Sequence, residues 1–195
     1  MPIISKKLVF ILFLTFSICS YAEESTETNF TDSLWTLDHK WTDHKNKTIS
    51  LSQLSGKPML ITMTFASCPG ACPLMISDMK TIDKKLTSKE KTKINFATFS
   101  IDPKRDTPQA LKEFHKKMKL DKRWTLYTSD EDQAREMAAA LGFSYKDLGD
   151  GDFTHSTSLY LISSTGRILV RKERSHQWNE LLEKLRDDLK SPRSK

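Results

Sequence analysis

The stretch Met59-Leu-Ile-Thr-Met-Thr-Phe65-Ala-Ser-Cys68-Pro-Gly-Ala-Cys72-Pro73 decides how this chain is read. Its first seven residues form an apolar run of strand length, set off upstream by Gly56-Lys-Pro58, which predicts a buried strand. Two cysteines follow with three residues between them, each succeeded by proline. Beyond Pro73, the residues Met75, Met79, Ile82 and Leu86 fall on one helical stripe, and proline at the first helical position removes no needed hydrogen bond. That stripe assigns Met75 and Met79 to the core rather than to thioether ligation, although both follow the dithiol closely. A strand that runs through a dithiol into a helix places both sulfurs at a helix N-terminus, where free backbone N–H groups and the macrodipole favour thiolate. Thiolates bind soft metals and exchange disulfides.

Working outward, the pattern alternates strands with helices. Upstream, Leu34 to Gly56 alternates loosely, with Ile49 and Leu51 among polar residues, and reads as an edge hairpin. Downstream, Ile94 to Ile101 predicts a second buried strand. Thr107-Pro108 opens a helix with Leu111, Phe114 and Met118 inward, and Trp124 to Tyr127 is a short strand. Ser129 to Leu141 is the next helix, stopped by Gly142. Ser158 to Ile162 and Arg167 to Val170 form an antiparallel hairpin, and Trp178, Leu181, Leu182, Leu185 and Leu189 mark a closing amphipathic helix. This is an α/β pattern, and a thioredoxin-like fold fits it: an N-terminal hairpin extension and a central mixed sheet flanked by helices. In that architecture the dithiol lies where the first core strand meets its helix, at the carboxyl end of the parallel strands, where ligands gather.

The N-terminus places the chain in an exported setting. Lys6 and Lys7, the apolar stretch Leu8 to Ile18 and Ser20-Tyr21-Ala22 read as a signal peptide over residues 1–22, too short in its apolar part for a spanning helix, which needs about 20 residues. An uncleaved signal would leave the protein associated with the membrane; cleavage would leave it periplasmic. Residues 23–33 are polar and acidic and read as a mobile leader, residues 34–190 as one domain, and residues 191–195 as a basic tail. Cys19 falls within the discarded signal, which leaves Cys68 and Cys72 as an even pair; in an oxidising compartment such a pair also suits a structural disulfide. Losing Lys6 and Lys7 takes the formal charge from +6 to +4. The remaining lysine clusters, such as Lys84-Lys85 and Lys116-Lys117, are interleaved with acids as solvated faces are, which argues against a nucleic-acid partner.

Spacing discriminates the chemistry. Redox dithiols of this fold usually carry two intervening residues; three lengthen the loop and leave room for a metal. Two thiolates and one imidazole make a three-coordinate site suited to Cu(I), and a further donor would extend it to Cu(II). His39, His44, His115, His155 and His176 are the candidates for that imidazole. His155 lies in Asp152-Phe-Thr-His155-Ser-Thr157, read as a loop before the hairpin strand, which this fold can bring over the dithiol. His115 sits on a helix, His39 and His44 in the polar N-terminal hairpin, and His176 near the last helix.

Three segments taken together resemble the Sco/SenC family of copper-handling, thioredoxin-like proteins: Cys68-Pro-Gly-Ala-Cys72-Pro73 after a strand, Ser100-Ile-Asp-Pro-Lys-Arg-Asp-Thr-Pro108 between strand and helix, and Asp152-Phe-Thr-His155-Ser-Thr157 before the hairpin. The resemblance spans residues 34–188. It implies a periplasmic or membrane-associated copper metallochaperone that helps load the dinuclear copper centre of cytochrome c oxidase, with Cys68, Cys72 and His155 as metal ligands. The implied partners are a copper-receiving oxidase subunit and a thiol reductant that keeps the pair reduced. Some members of the family have thiol-disulfide roles instead, in which Cys68 and Cys72 would be the redox dithiol that keeps partner cysteines reduced. One departure stands out: the family usually has an acidic residue third in the loop, where this chain has Gly70. Losing that carboxylate alters the redox poise expected of the pair. Asp102-Pro103 and Arg105-Asp106 are kept outside the site: Asp106 or Thr107 caps the helix that Pro108 opens, and Arg105 pairs with a nearby carboxylate.

Overall fold

A computed structural model describes residues 33–173 and 178–190, so the signal segment, residues 23–32 of the leader, His176 and the basic tail lie outside the described residues. The described chain starts at Ser33, whose hydroxyl accepts from the Trp35 amide (3.0 Å) and caps a short turn of 3-10 helix over Leu34–Thr36. The predicted hairpin follows, with β1 (Lys40–Asp43) antiparallel to β2 (Thr48–Ser50). β3 (Met59–Thr64) is buried at every position, as expected of a strand with a neighbour on both sides.

α1 (Ala71–Lys84) and the single turn α2 (Ser88–Lys91) lead from β3 to β4 (Asn95–Ser100), which runs parallel to β3. α1 begins two residues before Pro73, a correction to the expected start. Pro73 still lies in the first turn, where an amide has no acceptor within the helix, so it disturbs nothing. Met75, Met79, Ile82 and Leu86 are all buried, which makes the stripe core. α3 (Pro108–Lys117) then crosses to β5 (Trp124–Thr128), parallel to β4. Thr107 caps α3 by accepting from the Ala110 amide (3.2 Å).

α4 (Glu131–Leu141) is capped by Asp130, which accepts from the Gln133 amide (2.8 Å), and ends at Gly142 in the left-handed conformation (φ +62°), where glycine carries no Cβ penalty. A small hairpin comes next, β6 (Tyr145–Asp147) with β7 (Phe153–His155), forming a sheet of its own. The sequence reading leaves this segment as loop, because two three-residue strands around a glycine- and aspartate-rich turn carry almost no alternation. β8 (Ser158–Ile162) and β9 (Ile168–Glu173) form the predicted hairpin, and α5 (Asn179–Lys190) closes the chain.

The main sheet has the order β2-β1-β5-β4-β3-β8-β9, parallel across β5, β4 and β3 and antiparallel outside them. α1 packs on β3 and β8, and α3 on β5 and β1. Edge-to-face packing of Trp41 on Phe99 (4.9 Å) and stacking of Phe96 on Trp124 (4.7 Å) tie the hairpin extension and β5 into the core. The carboxyl ends of β3 and β4 therefore open toward the turn that carries the cysteines. No helix among the described residues is long and apolar enough to cross a membrane.

Candidate metal centre

After β3 the chain turns tightly, the Cys68 amide donating to the Phe65 carbonyl (3.2 Å), and enters α1 with Gly70 at the N-cap position. Glycine supplies no side-chain cap. The Cys68 sulfur substitutes: the Cys72 amide, in the first helical turn, donates to it across 3.4 Å. Gly70 itself has φ −130° and open space where a Cβ would stand, so the backbone would accept a larger residue and the missing acid is not forced by sterics.

The turn is anchored from the β4–α3 loop. The buried Asp106 carboxylate accepts from the Ala66 amide (3.0 Å) and from the Ser100 hydroxyl (2.6 Å), and Ser100 in turn accepts from the Asp102 amide (2.9 Å). Of the two cap candidates Thr107 is the one that caps α3, and Asp106 is instead a support that holds the Ala66 amide two residues before Cys68. The sequence reading missed this role; its only trace is an aspartate that follows a serine ending a strand.

His155 is the last residue of β7 rather than a loop residue. Alternation along β7 puts Phe153 and His155 on one face of the small hairpin, with Tyr145 opposite His155, and that face packs on the end of β3: Phe153 meets Phe65 edge-on (5.1 Å). The imidazole stacks on Phe143 (5.9 Å) and meets the edge of Phe65 (5.8 Å). Nδ1 lies 2.7 Å from the Ser156 carbonyl. A carbonyl only accepts, so Nδ1 carries the proton and the lone pair is on Nε2, 3.6 Å from Cys72 Sγ. Fixing a tautomer through the far nitrogen is how histidine ligands are prepared for metals.

The two sulfurs and the imidazole have ligand atoms all within 4.8 Å of one another and could hold a metal ion. Both cysteines are free thiols and both are buried. Their environment differs from the sequence expectation in one respect. Burial pushes the Cys72 thiol far up; a backbone hydrogen bond from Phe65 opposes this, while the adjacent Cys68 and the Asp106 carboxylate add to it. Desolvation therefore outweighs the helix N-terminus at Cys72 and favours its thiol form in the metal-free protein.

The other described candidates, His39, His44 and His115, stand elsewhere. His39 contacts Glu136 through Nε2 (2.5 Å). His44 stacks on His115 (4.4 Å) and accepts from the Leu126 amide through Nδ1 (3.3 Å), and burial, then His115, lowers its pKa.

The family model described as SCO1/SenC matches residues 28–190. The chain belongs to the SCO1/SenC family. An SCO2-like protein of Rickettsia conorii is 31% identical over 157 residues, covering 77% of this chain and 75% of that protein. The structure of Bradyrhizobium japonicum ScoI with copper bound is similar at 25% identity and TM-score 0.60, over 77% of this chain and 95% of that one. BsSco, described through a disulfide switch and as a member of the Sco family of cytochrome c oxidase assembly proteins, is similar in fold, with TM-score 0.67 and 24% identity over 77% of this chain and 91% of that one. The thioredoxin-like Sco fold predicted from the sequence is the fold observed, and the cysteine and histidine segments of this SCO1/SenC chain, far apart in sequence, meet at one point of it.

Proposed function

We propose that this SCO1/SenC protein is a copper metallochaperone in which Cys68, Cys72 and His155 ligate the copper it carries. The observation that carries the reading is the convergence of two sulfurs and an oriented imidazole within 4.8 Å. Soft sulfur donors with one nitrogen suit Cu(I), and the copper-bound Bradyrhizobium relative supports copper over other thiophilic ions. Loading displaces the thiol protons, the imidazole ligates through Nε2 without changing tautomer, and the Ser156 carbonyl keeps the ring in place. Cargo leaves by exchange onto the soft ligands of a recipient. The family resemblance and the oxidase-assembly description of BsSco make a cytochrome c oxidase subunit, with its dinuclear copper centre, the proposed recipient. The protein acts after export, in the periplasm or at the membrane surface, and a thiol reductant keeps the pair competent.

A thiol-disulfide role has one observation in its favour: both sulfurs are unbonded and within reach of each other. The imidazole oriented onto Cys72 Sγ favours the metal reading over it, since disulfide exchange needs the two sulfurs and not His155. Anaerobic Cu(I) titration of the reduced protein against a competing chelator separates the two. Wild type takes up one tight equivalent, His155→Ala weakens it roughly 10–100-fold or more, and the Cys68→Ser/Cys72→Ser variant abolishes it. Disulfide exchange survives the histidine change. Unchanged affinity in His155→Ala sinks the ligand assignment, and no tight equivalent in wild type sinks the chaperone reading.

A further inference from the structure

His155 is delivered by a hairpin that forms a sheet of its own and joins the main sheet through Ser156-Thr157, which lead into β8 beside β3. The chain thus fixes where the hairpin is attached, and side chains complete how it sits over Cys72. Its inward face meets the body of the protein through rings: Phe153 on Phe65, and His155 on Phe65 and Phe143. Ring contacts are less directional than hydrogen bonds, so a polar contact between the hairpin and the body adds to the definition of its seat. One polar group reaches across from the β4–α3 loop. The Arg105 guanidinium lies over the Phe153 ring (5.9 Å) and the Phe65 ring (6.0 Å) at once, and its Nε donates to the buried Asp102 carboxylate on its own loop. It also fills the space above Gly151 in the hairpin turn: a Cβ at Gly151 would lie 2.6 Å from Arg105 Nη1 and would push the guanidinium aside, while the backbone there, at φ +89°, favours glycine on its own account.

We propose that Arg105 is the positioning residue of the metal centre, a latch that bridges the dithiol side (Phe65) and the histidine side (Phe153, Gly151) and sets His155 Nε2 over Cys72. This rests on the copper reading above and names the residue on which its third ligand depends. Arg105 touches none of the three ligands; it acts on the strand that carries one of them. Asp102 keeps the guanidinium plane oriented, which a lysine ammonium on a flexible stem would not reproduce.

The test is a double-mutant cycle on Cu(I) affinity, read with amide hydrogen exchange of the metal-free reduced protein. In the wild-type background Arg105→Ala lowers affinity about 10-fold, the scale for groups that orient ligands. In the His155→Ala background the same change alters affinity by less than about twofold, because there is no imidazole left to position. Amide exchange over 153–156 accelerates in Arg105→Ala while β3 and β4 keep their protection, and Arg105→Lys restores the exchange only in part. Equal losses in both backgrounds, no loss in either, or unchanged exchange over 153–156 overturns the latch. Should wild type bind no copper, the chaperone reading falls while the exchange measurement still decides whether Arg105 holds the hairpin.

Discussion

Replacing Asp106 with asparagine isolates the pH behaviour of the support beneath the dithiol turn. Burial raises the Asp106 carboxyl to about 6, against the hydrogen bonds that Ser100 and Ala66 donate to it. An unfolded aspartate titrates near about 4, so between these values the folded protein holds a proton that the unfolded chain has released. Stability from this group is therefore complete below about pH 4 and is lost as pH rises through about 6. A difference of about two pH units corresponds to roughly 3 kcal/mol. Asparagine has nothing to titrate there, while its amide oxygen accepts from Ala66 and its NH2 donates to Ser100, so the anchor keeps its shape. Urea unfolding of the reduced protein at constant ionic strength, wild type against Asp106→Asn, reads this directly. The variant's stability relative to wild type rises by roughly 3 kcal/mol between about pH 4 and 7, and carboxylates common to both cancel in the difference. A flat difference, or one that falls as pH rises, refutes the reasoning: the two hydrogen bonds would then be holding the carboxylate ionised against its burial.

Copper uptake should release protons, since the Cys72 thiol is held protonated by burial; apparent Cu(I) affinity climbs by about tenfold per pH unit for each proton displaced, measured by chelator competition at several pH values. A pH-independent affinity would mean that the sulfurs are already ionised before copper binds, against the burial argument for Cys72. Met79→Ala removes a fully buried side chain from the α1 stripe and should lower stability by about 2–5 kcal/mol while leaving copper stoichiometry at one, which thermal unfolding and titration check together. Thr107→Ala removes the cap of α3 and should cost about 1 kcal/mol in denaturant unfolding; no change would mean that Pro108 alone sets the start of the helix.

How much of this was legible in the sequence depended on the range of the signal. The order of strands and helices came through because each main element carries its own period: the unbroken apolar run of β3, the stripe Met75, Met79, Ile82 in α1 that Leu86 continues just past its end, the Thr107-Pro108 start of α3 and the Gly142 stop of α4. Cys68, Cys72 and His155 were singled out by spacing and family resemblance, and they do come together. The hairpin that delivers His155 was not legible, because its strands are short and their burial is supplied by Phe65 and Arg105, remote in sequence. The state of Cys72 was read in the wrong direction for a similar reason. A helix N-terminus is visible in sequence, whereas the desolvation that overrides it comes from the whole fold closing over the sulfur.

The nonapeptide Ser100–Pro108, which the sequence reading kept out of the site, turns out to connect its two halves. From one short loop, Asp106 reaches the Ala66 amide below the cysteines, and Arg105 reaches the rings of Phe65 and Phe153, the latter two residues from the histidine. The sulfur donors come from a strand-to-helix turn and the nitrogen donor from a hairpin in a separate sheet, with 82 residues of chain between Cys72 and His155. The turn leaves β3 and the histidine lies three residues before β8, a partner of β3 in the main sheet, so the ladder brings the two pieces side by side and side chains complete their placement. A loop that grips both pieces can hold three ligand atoms to within 4.8 Å without enclosing them in rigid secondary structure. For the proposed chaperone, whose cargo must be held and then given up, this places the nitrogen donor on a small two-stranded element with few contacts of its own, the kind of segment that opens at low cost.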